Sequence, residues 1–327
     1  MRIRLGLSCG AVLAALLGIL SPAFGQDYPA HNVTYLIPFA PGGGTDVLAR
    51  ILTQKLSDKF GKAFVPDNRP GAGTVIAAVA AANAAPDGYT LMMATSSTLS
   101  INPTLYKSLP YDPNKLVPVA IIASVPMVLT VNPTLPIRTA KELQAYAKAH
   151  PGQLNYGSVG PGSLQYIATE TLKRQLGIDL VHVSYKGGTA LLSDMLGGTL
   201  QVTFIDIGSG AGELIRSGKL TPIGLSSTRK LALYPEIPPL AEAGLPGYDI
   251  AGFQVVLAPA GTPAPILKTL NAALNEAVAD KDVVKQFETM GYVPLGNLGI
   301  DELSHFMKQE RVRWDGLTRA AGVAGTL

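Results

Sequence analysis

The chain has 327 residues, enough for about two domains at roughly 150 residues each. Charged residues make up only 15%, against about 25% in an average soluble protein, 47% are hydrophobic, and the formal net charge is +3. These figures argue against disorder, and the thin spread of Lys and Arg argues against a nucleic-acid-binding face.

Residues 1–25 read as a secretory signal peptide. Arg2 and Arg4 give a basic start, Leu5 to Leu20 an apolar middle, and Ala23 and Gly25 a small-residue exit before Gln26. The apolar run falls short of the roughly 20 residues that span a bilayer. Export to the periplasm of a Gram-negative cell follows as the expected localisation. Cys9, the one cysteine in the sequence, lies inside this segment. The exported chain therefore has no disulfide, thiol nucleophile or Cys-ligated zinc, and no cofactor is expected.

Short apolar runs then alternate with helix-period segments, the pattern of an α/β fold. Val33 to Ile37 predicts a strand stopped by Pro38, and a glycine-rich loop follows. Thr45 opens a helix with Val47, Leu48, Ile51, Leu52, Leu56 and Phe60 at steps of three and four. Asp46 and Arg50 stand one turn apart and can pair, and Gly61 suits a C-terminal cap. Leu91 to Ala94 predicts a strand ending in the hydroxyl-rich loop Thr95 to Thr98. Leu154 to Tyr156 leads into a second glycine-rich loop, 157–163, and a helix over Leu164, Ile167, Ala168, Leu172 and Leu176 ended by Gly177. Val181 to Val183 predicts a strand before Tyr185 to Thr189 and another helix, and Val202 to Ile205 predicts one that ends at Asp206.

Pro235, Pro238, Pro239 and Pro246 crowd a linker-like stretch. Phe253 to Leu257 then predicts a strand, followed by helices from about Pro263 to Ala279 and from about Asp301 to Leu317. This divides into two α/β lobes, 26–124 with 248–327 and 125–247. Two crossings between them make a hinged clamshell.

A strand entering a glycine-rich turn and then a helix gathers free N–H groups and the positive end of a helix dipole at one point, which suits an anion. Gly43, Gly44 and Thr45 form such a junction, and Gly160, Gly162 and Ser163 form another. No Lys-Ser/Thr follows the glycines, so neither is a nucleotide P-loop, and Gly71 and Gly73 lack the third glycine of a dinucleotide fingerprint. His31, His150, His182 and His305 are scattered, with no metal or triad spacing, and His182 reads as structural. Asp206, at a strand end, either caps the next turn or accepts a ligand proton.

Several segments resemble the Bug family, the TctC-like extracytoplasmic receptors of tripartite tricarboxylate transporters. They are Ile37 to Arg50, Asn68 to Gly73, Ala85 to Leu91, Ile101 to Pro103, Leu154 to Ser163, Val183 to Gly188, Glu242 to Gly247 and Ala258 to Pro263. The resemblance implies a two-lobed periplasmic binding protein (type II, Venus-flytrap), each lobe a mixed sheet flanked by helices. It further implies a monomer that captures a small carboxylate and serves inner-membrane transporter subunits, without catalysis. Carried over by position, ligand contacts fall on Phe39, Gly43, Gly44, Thr45 and Asp46 in the first lobe and Ser158, Gly162 and Ser163 in the second. Ser96, Thr98, Tyr185, Asp206 and Phe253 would complete the wall. The sequence departs from the family pattern at Tyr166 and Leu99, where His is frequent, and at Thr74, Ala77 and Phe253 to Gln254. Two imidazoles are thus missing near the site, with Tyr166 in one of the two places. That points away from a polyanion such as citrate and toward a mono- or dicarboxylate with an apolar or aromatic body. A ligand-occupancy sensor for a membrane kinase is the alternative; a hydrolase would need a nucleophile with a nearby base.

Overall fold

The computed structural model describes residues 28–327; the predicted signal peptide and Cys9 lie outside the described residues. Strand β1 (Val33–Ile37) consists of β-branched, aromatic and aliphatic residues, buried except for Thr34. Such a run suits a parallel strand covered on both faces. Helix α1 (Gly44–Phe60) follows and is closed by Gly61, whose φ of 65° is the left-handed conformation of a C-terminal cap. Leu48, Leu52 and Leu56 face the core, but Val47 is 37% exposed, because the apolar stripe is narrower than its spacing predicts.

The first sheet also takes in β2 (Phe64–Asn68), β3 (Thr90–Thr95), β4 (Leu116–Val125), β10 (Gly252–Pro259) and β11 (Val293–Pro294), in the order β11-β4-β10-β3-β1-β2. β1 pairs in parallel with β2 and β3, while β10 runs antiparallel between β3 and β4. Helices α2 (Val75–Ala82), α7 (Ala264–Ala279), α8 (Lys281–Thr289) and α9 (Ile300–Ala320) complete this half. Trp314 on α9 is fully buried and donates its indole N–H to Glu310 at 3.0 Å.

The second sheet has the order β7-β6-β8-β5-β9, built from β5 (Val128–Val131), β6 (Asn155–Ser158), β7 (Val181–Ser184), β8 (Val202–Ile205) and β9 (Thr221–Leu225). Here β6 is parallel to β7 and β8, while β5 runs antiparallel between β8 and β9. Its helices are α3 (Ala140–Ala149), α4 (Leu164–Leu176), α5 (Gly188–Gly197) and α6 (Ala211–Arg216). The chain leaves the first sheet after Val125 and re-enters it at Gly252, and these two residues face each other in the β4–β10 register. Among the described residues no helix is long and apolar enough to cross a membrane.

Candidate functional site

In open α/β sheets the groups available to a ligand gather beyond the carboxyl ends of the parallel strands, where neighbouring crossovers diverge. That point lies between β1 and β3 in the first sheet and between β6 and β8 in the second. A cavity of about 490 Å³ lies where the loops from both points converge. After β1 come Phe39, Gly43, Gly44 and Thr45, and after β3 come Ser96 and Ser97. Val159 and Ser163 follow β6, Lys186 to Thr189 follow β7, and Asp206 and Ser209 follow β8. Val125, Met127, Leu164, Phe253, Gln254 and Tyr292 line further parts of the wall.

Three helices begin at this wall. α1 starts from Gly43 and α5 from Gly187, and neither N-cap has a side chain to bond the first amides. α4 differs, since Ser163 accepts from the Tyr166 N–H at 3.3 Å and so caps its own helix. The first turns of α1 and α5 therefore present amide hydrogens and dipole ends to the cavity without internal competition.

Gly44 is one of the places where the two halves touch. A Cβ placed there would lie 2.0 Å from the Tyr292 hydroxyl and 2.5 Å from Asp206 Oδ1. Tyr292 Oη donates to Asp206 Oδ1 at 3.2 Å, joining the first half to the second. Burial pushes the Asp206 carboxyl up to about 6, against the lowering effect of that hydrogen bond. Burial and the adjacent carboxylate raise Tyr292 well above its ordinary value, so it remains a donor.

Eight of the fourteen residues singled out in the sequence line this cavity: Phe39, Gly43, Gly44, Thr45, Ser96, Ser163, Asp206 and Phe253. The other six are engaged elsewhere. Asp46 accepts from the Gly42 N–H at 3.0 Å, Arg50 Nε at 2.9 Å and Asn68 Nδ2 at 2.8 Å. Burial opposes its charge, but these three donors outweigh it and hold the carboxyl below the ordinary range. Thr98 Oγ1 donates to Thr74 Oγ1 at 3.0 Å inside the first half, and Tyr185 Oη donates to Asp194 on α5 at 2.8 Å. Gly162 does not border the cavity because it packs against the first half, where a Cβ would meet Asn102 Oδ1 at 2.6 Å. Gly160, the other glycine of that loop, spends its N–H on Ser158 Oγ at 3.1 Å.

Ser158 and Tyr166 belong to a separate cluster. Ser158 Oγ lies 2.7 Å from His182 Nε2, and the Tyr166 ring meets the same imidazole edge-on with centroids 4.9 Å apart. Burial lowers His182, which keeps it neutral at physiological pH. The pair has the spacing of a nucleophile and base, but Ser158 is fully buried, bonded to the Gly160 backbone and outside the cavity wall. Among the described residues no group of His, Cys, Asp and Glu is arranged to hold a metal.

Lys186, Gly187, Gly188 and Tyr292 also line the cavity, although the sequence does not assign them to the site, as does Gln254, known from the sequence only as a departure from the family pattern. The strand-to-glycine junction at Val183 to Gly188 was a usable signal for the first three. A second cavity of about 310 Å³ shares Gly252 and Phe253 with the first and is lined by Arg229, Asp249, Glu310 and Arg313.

The sequence matches the model for the tripartite tricarboxylate transporter family receptor, TctC, over residues 48–323. Protein BugT of Bordetella pertussis is 36% identical over 313 residues, 95% of each chain. The structure of an R. palustris protein with adipate shares 32% identity at a TM-score of 0.87, covering 91% of this chain and 99% of that one. MatC from Rhodopseudomonas palustris with bound malate shares 30% identity at a TM-score of 0.84, covering 89% and 100%. Two sheets of like topology meeting at one cavity, together with a family match over most of the sequence, establish that this chain belongs to the TctC/Bug receptors of the tripartite tricarboxylate transporter family.

Proposed function

We propose that this chain is a periplasmic solute receptor that captures a small mono- or dicarboxylate with an apolar or aromatic body and hands it to the membrane subunits of a tripartite transporter. The observation that carries this reading is the pair of uncapped helix N-termini at Gly43 and Gly187, one from each half, on the wall of one cavity. Amides from both halves converging on one carboxylate favour the closed arrangement, because only that arrangement completes the contacts. The volume falls within the roughly 300–1,000 Å³ of ordinary small-molecule sites, and Val125, Met127, Leu164 and Phe253 supply apolar contact. Adipate and malate in the two related structures support the carboxylate class. The burial of Ser158, beside a half-buried His182, favours binding without chemistry.

Titration calorimetry of the exported chain with butyrate, benzoate, malate, adipate and citrate tests this. At least one mono- or dicarboxylate binds tightly, and citrate binds weakly. Failure of every carboxylate to bind removes the reading, and citrate as the tightest ligand removes its mono- or dicarboxylate part.

A further inference from the structure

Gln165 lies in the first turn of α4, two residues past the Ser163 cap, and lines the cavity at 6% exposure. Its backbone carbonyl accepts from Thr169 Oγ1 at 2.8 Å, but its side-chain amide pairs with nothing among the described residues. Neither amide atom is sealed in the interior as the Gln254 carbonyl oxygen is, so the group borders the cavity rather than the core. Other buried polar side chains of this wall are spent within the chain: Thr45 Oγ1 accepts from Gln254 Nε2 at 2.8 Å, and Ser163 Oγ donates to the Gly160 carbonyl at 2.7 Å. Buried polar groups pair, so an accessible amide with no partner in the chain is placed for a group that enters the cavity.

Its place on the wall says which group. Gly187, at the start of α5, meets the loop that leads into α1, where a Cβ on it would lie 3.3 Å from Ala40 Cβ. Leu164, beside Gln165, packs instead at the crossing between the halves, where a Cβ on Gly252 would lie 2.7 Å from Leu164 Cδ2. A ligand held by its carboxylate on the α1 and α5 amides therefore meets Gln165 with a different group. Val125, Met127 and Phe253 line the wall for its carbon skeleton. Gln165 also stands at the positive end of the α4 dipole, which favours an oxygen acceptor there over a hydrogen-bond donor.

We propose that Gln165 is a specificity-determining residue whose Nε2 donates to an oxygen at the far end of the ligand, so that the receptor selects acids with a second carboxyl or carboxamide group over plain monocarboxylates. This rests on the carboxylate reading above and adds a second recognition point to it. The side chain is uncharged, so it reads the far oxygen by hydrogen bonding, and a half-amide satisfies it as a diacid does. A methyl group in the same place leaves the amide unpaired.

For each carboxylate that binds in the calorimetric screen, the monoacid, diacid and half-amide of the same skeleton are titrated against the native protein, Gln165→Met and Gln165→Glu. For at least one skeleton the diacid and the half-amide each bind about tenfold more tightly than the monoacid, the scale of one added hydrogen bond. In Gln165→Met the half-amide-to-monoacid ratio falls to about one, because Met keeps the length and loses the amide. In Gln165→Glu the diacid loses more affinity than the half-amide, because only the diacid brings a second negative charge to the new one. A half-amide no tighter than its monoacid on the native protein overturns the proposal, even where the diacid is tighter, since charge and not the amide then does the selecting. An undiminished ratio in Gln165→Met overturns it as well. Should Gln165→Met not fold, equal losses of diacid and half-amide in Gln165→Glu overturn it. If no carboxylate binds at all, the receptor reading falls instead, which is a different outcome.

Discussion

In the first sheet β2, β1 and β3 lie side by side with antiparallel β10 beyond them; in the second, β7, β6 and β8 lie side by side with antiparallel β5 beyond. The same path brings the helix after the central strand to the cavity in both halves. Yet α1 begins at a bare glycine and α4 at a serine that caps itself. In the second half the uncapped start belongs to α5, one strand further along. Topology therefore fixes where a helix N-terminus arrives, and the residue at its cap decides whether its amides remain available. The two aspartates differ in the same way: buried Asp46 is saturated by neighbours, whereas half-buried Asp206 meets the Tyr292 hydroxyl at the junction of the halves.

That contrast can be broken most directly at the contact between halves. Gly44→Val forces a side chain into Tyr292 and Asp206, and affinity for the carboxylate should fall by about a hundredfold in calorimetry, with the fold kept by circular dichroism. Affinity within a few-fold of native would show that the halves need not meet there. Asp46→Asn should leave binding nearly intact while lowering unfolding stability by about 2 kcal/mol, since three hydrogen bonds to a charge are weakened and exposed Arg50 contributes little. The native carboxyl is held below its unfolded value, so this contribution is present at neutral pH and is lost as pH falls through the native value. Urea melts at neutral and acid pH read both effects.

Gly43→Ser gives α1 the cap that α4 already has. The backbone there is extended, and a Cβ would meet only the Ala40 carbonyl at 3.9 Å, so the change fits. Stability should rise by a few tenths of a kcal/mol while affinity drops about tenfold, because the serine competes for the amides. Unchanged affinity would mean that the ligand does not use α1. Asp206 sharpens the comparison by pH. Its carboxyl titrates near about 6, and an anion bound beside it favours the protonated form. Binding then takes up a proton, so affinity is several-fold tighter at about pH 5.5 than at about pH 7.5, and Asp206→Asn flattens the profile. A profile that tightens with rising pH would place a cationic group of the ligand there instead. Smallest is Ser163→Ala, which removes the α4 cap at about 1 kcal/mol of stability and lowers the thermal midpoint by roughly 2–4 °C.

Local chemistry was legible in the sequence. β1 and α4 occupy the residues their patterns predict, and Gly61 and Gly177 close their helices. The loops after β1 and β8 reach the cavity as their strand-to-helix junctions imply. What stayed hidden depends on distant pairings. Tyr292 meets Asp206 across 86 residues, and Gln254 meets Thr45 across 209. No periodicity records such an encounter. Gly160 and Gly162 lie off the cavity wall for a related reason: both have positive φ, so the loop needs them for its turn, and the packing of Gly162 against Asn102 shows in no local pattern. Ser158 and His182 lie 24 residues apart and are joined only because β6 and β7 pair in register.

The excursion into the second sheet leaves and returns through one rung of the β4–β10 ladder, Val125 opposite Gly252. A rung of this kind resists sliding along the strands but yields to twist, so the second half is suspended from a torsion bar rather than a loose tether. Gly252 and Phe253 line both cavities. Any rotation about that rung therefore moves residues common to both cavities.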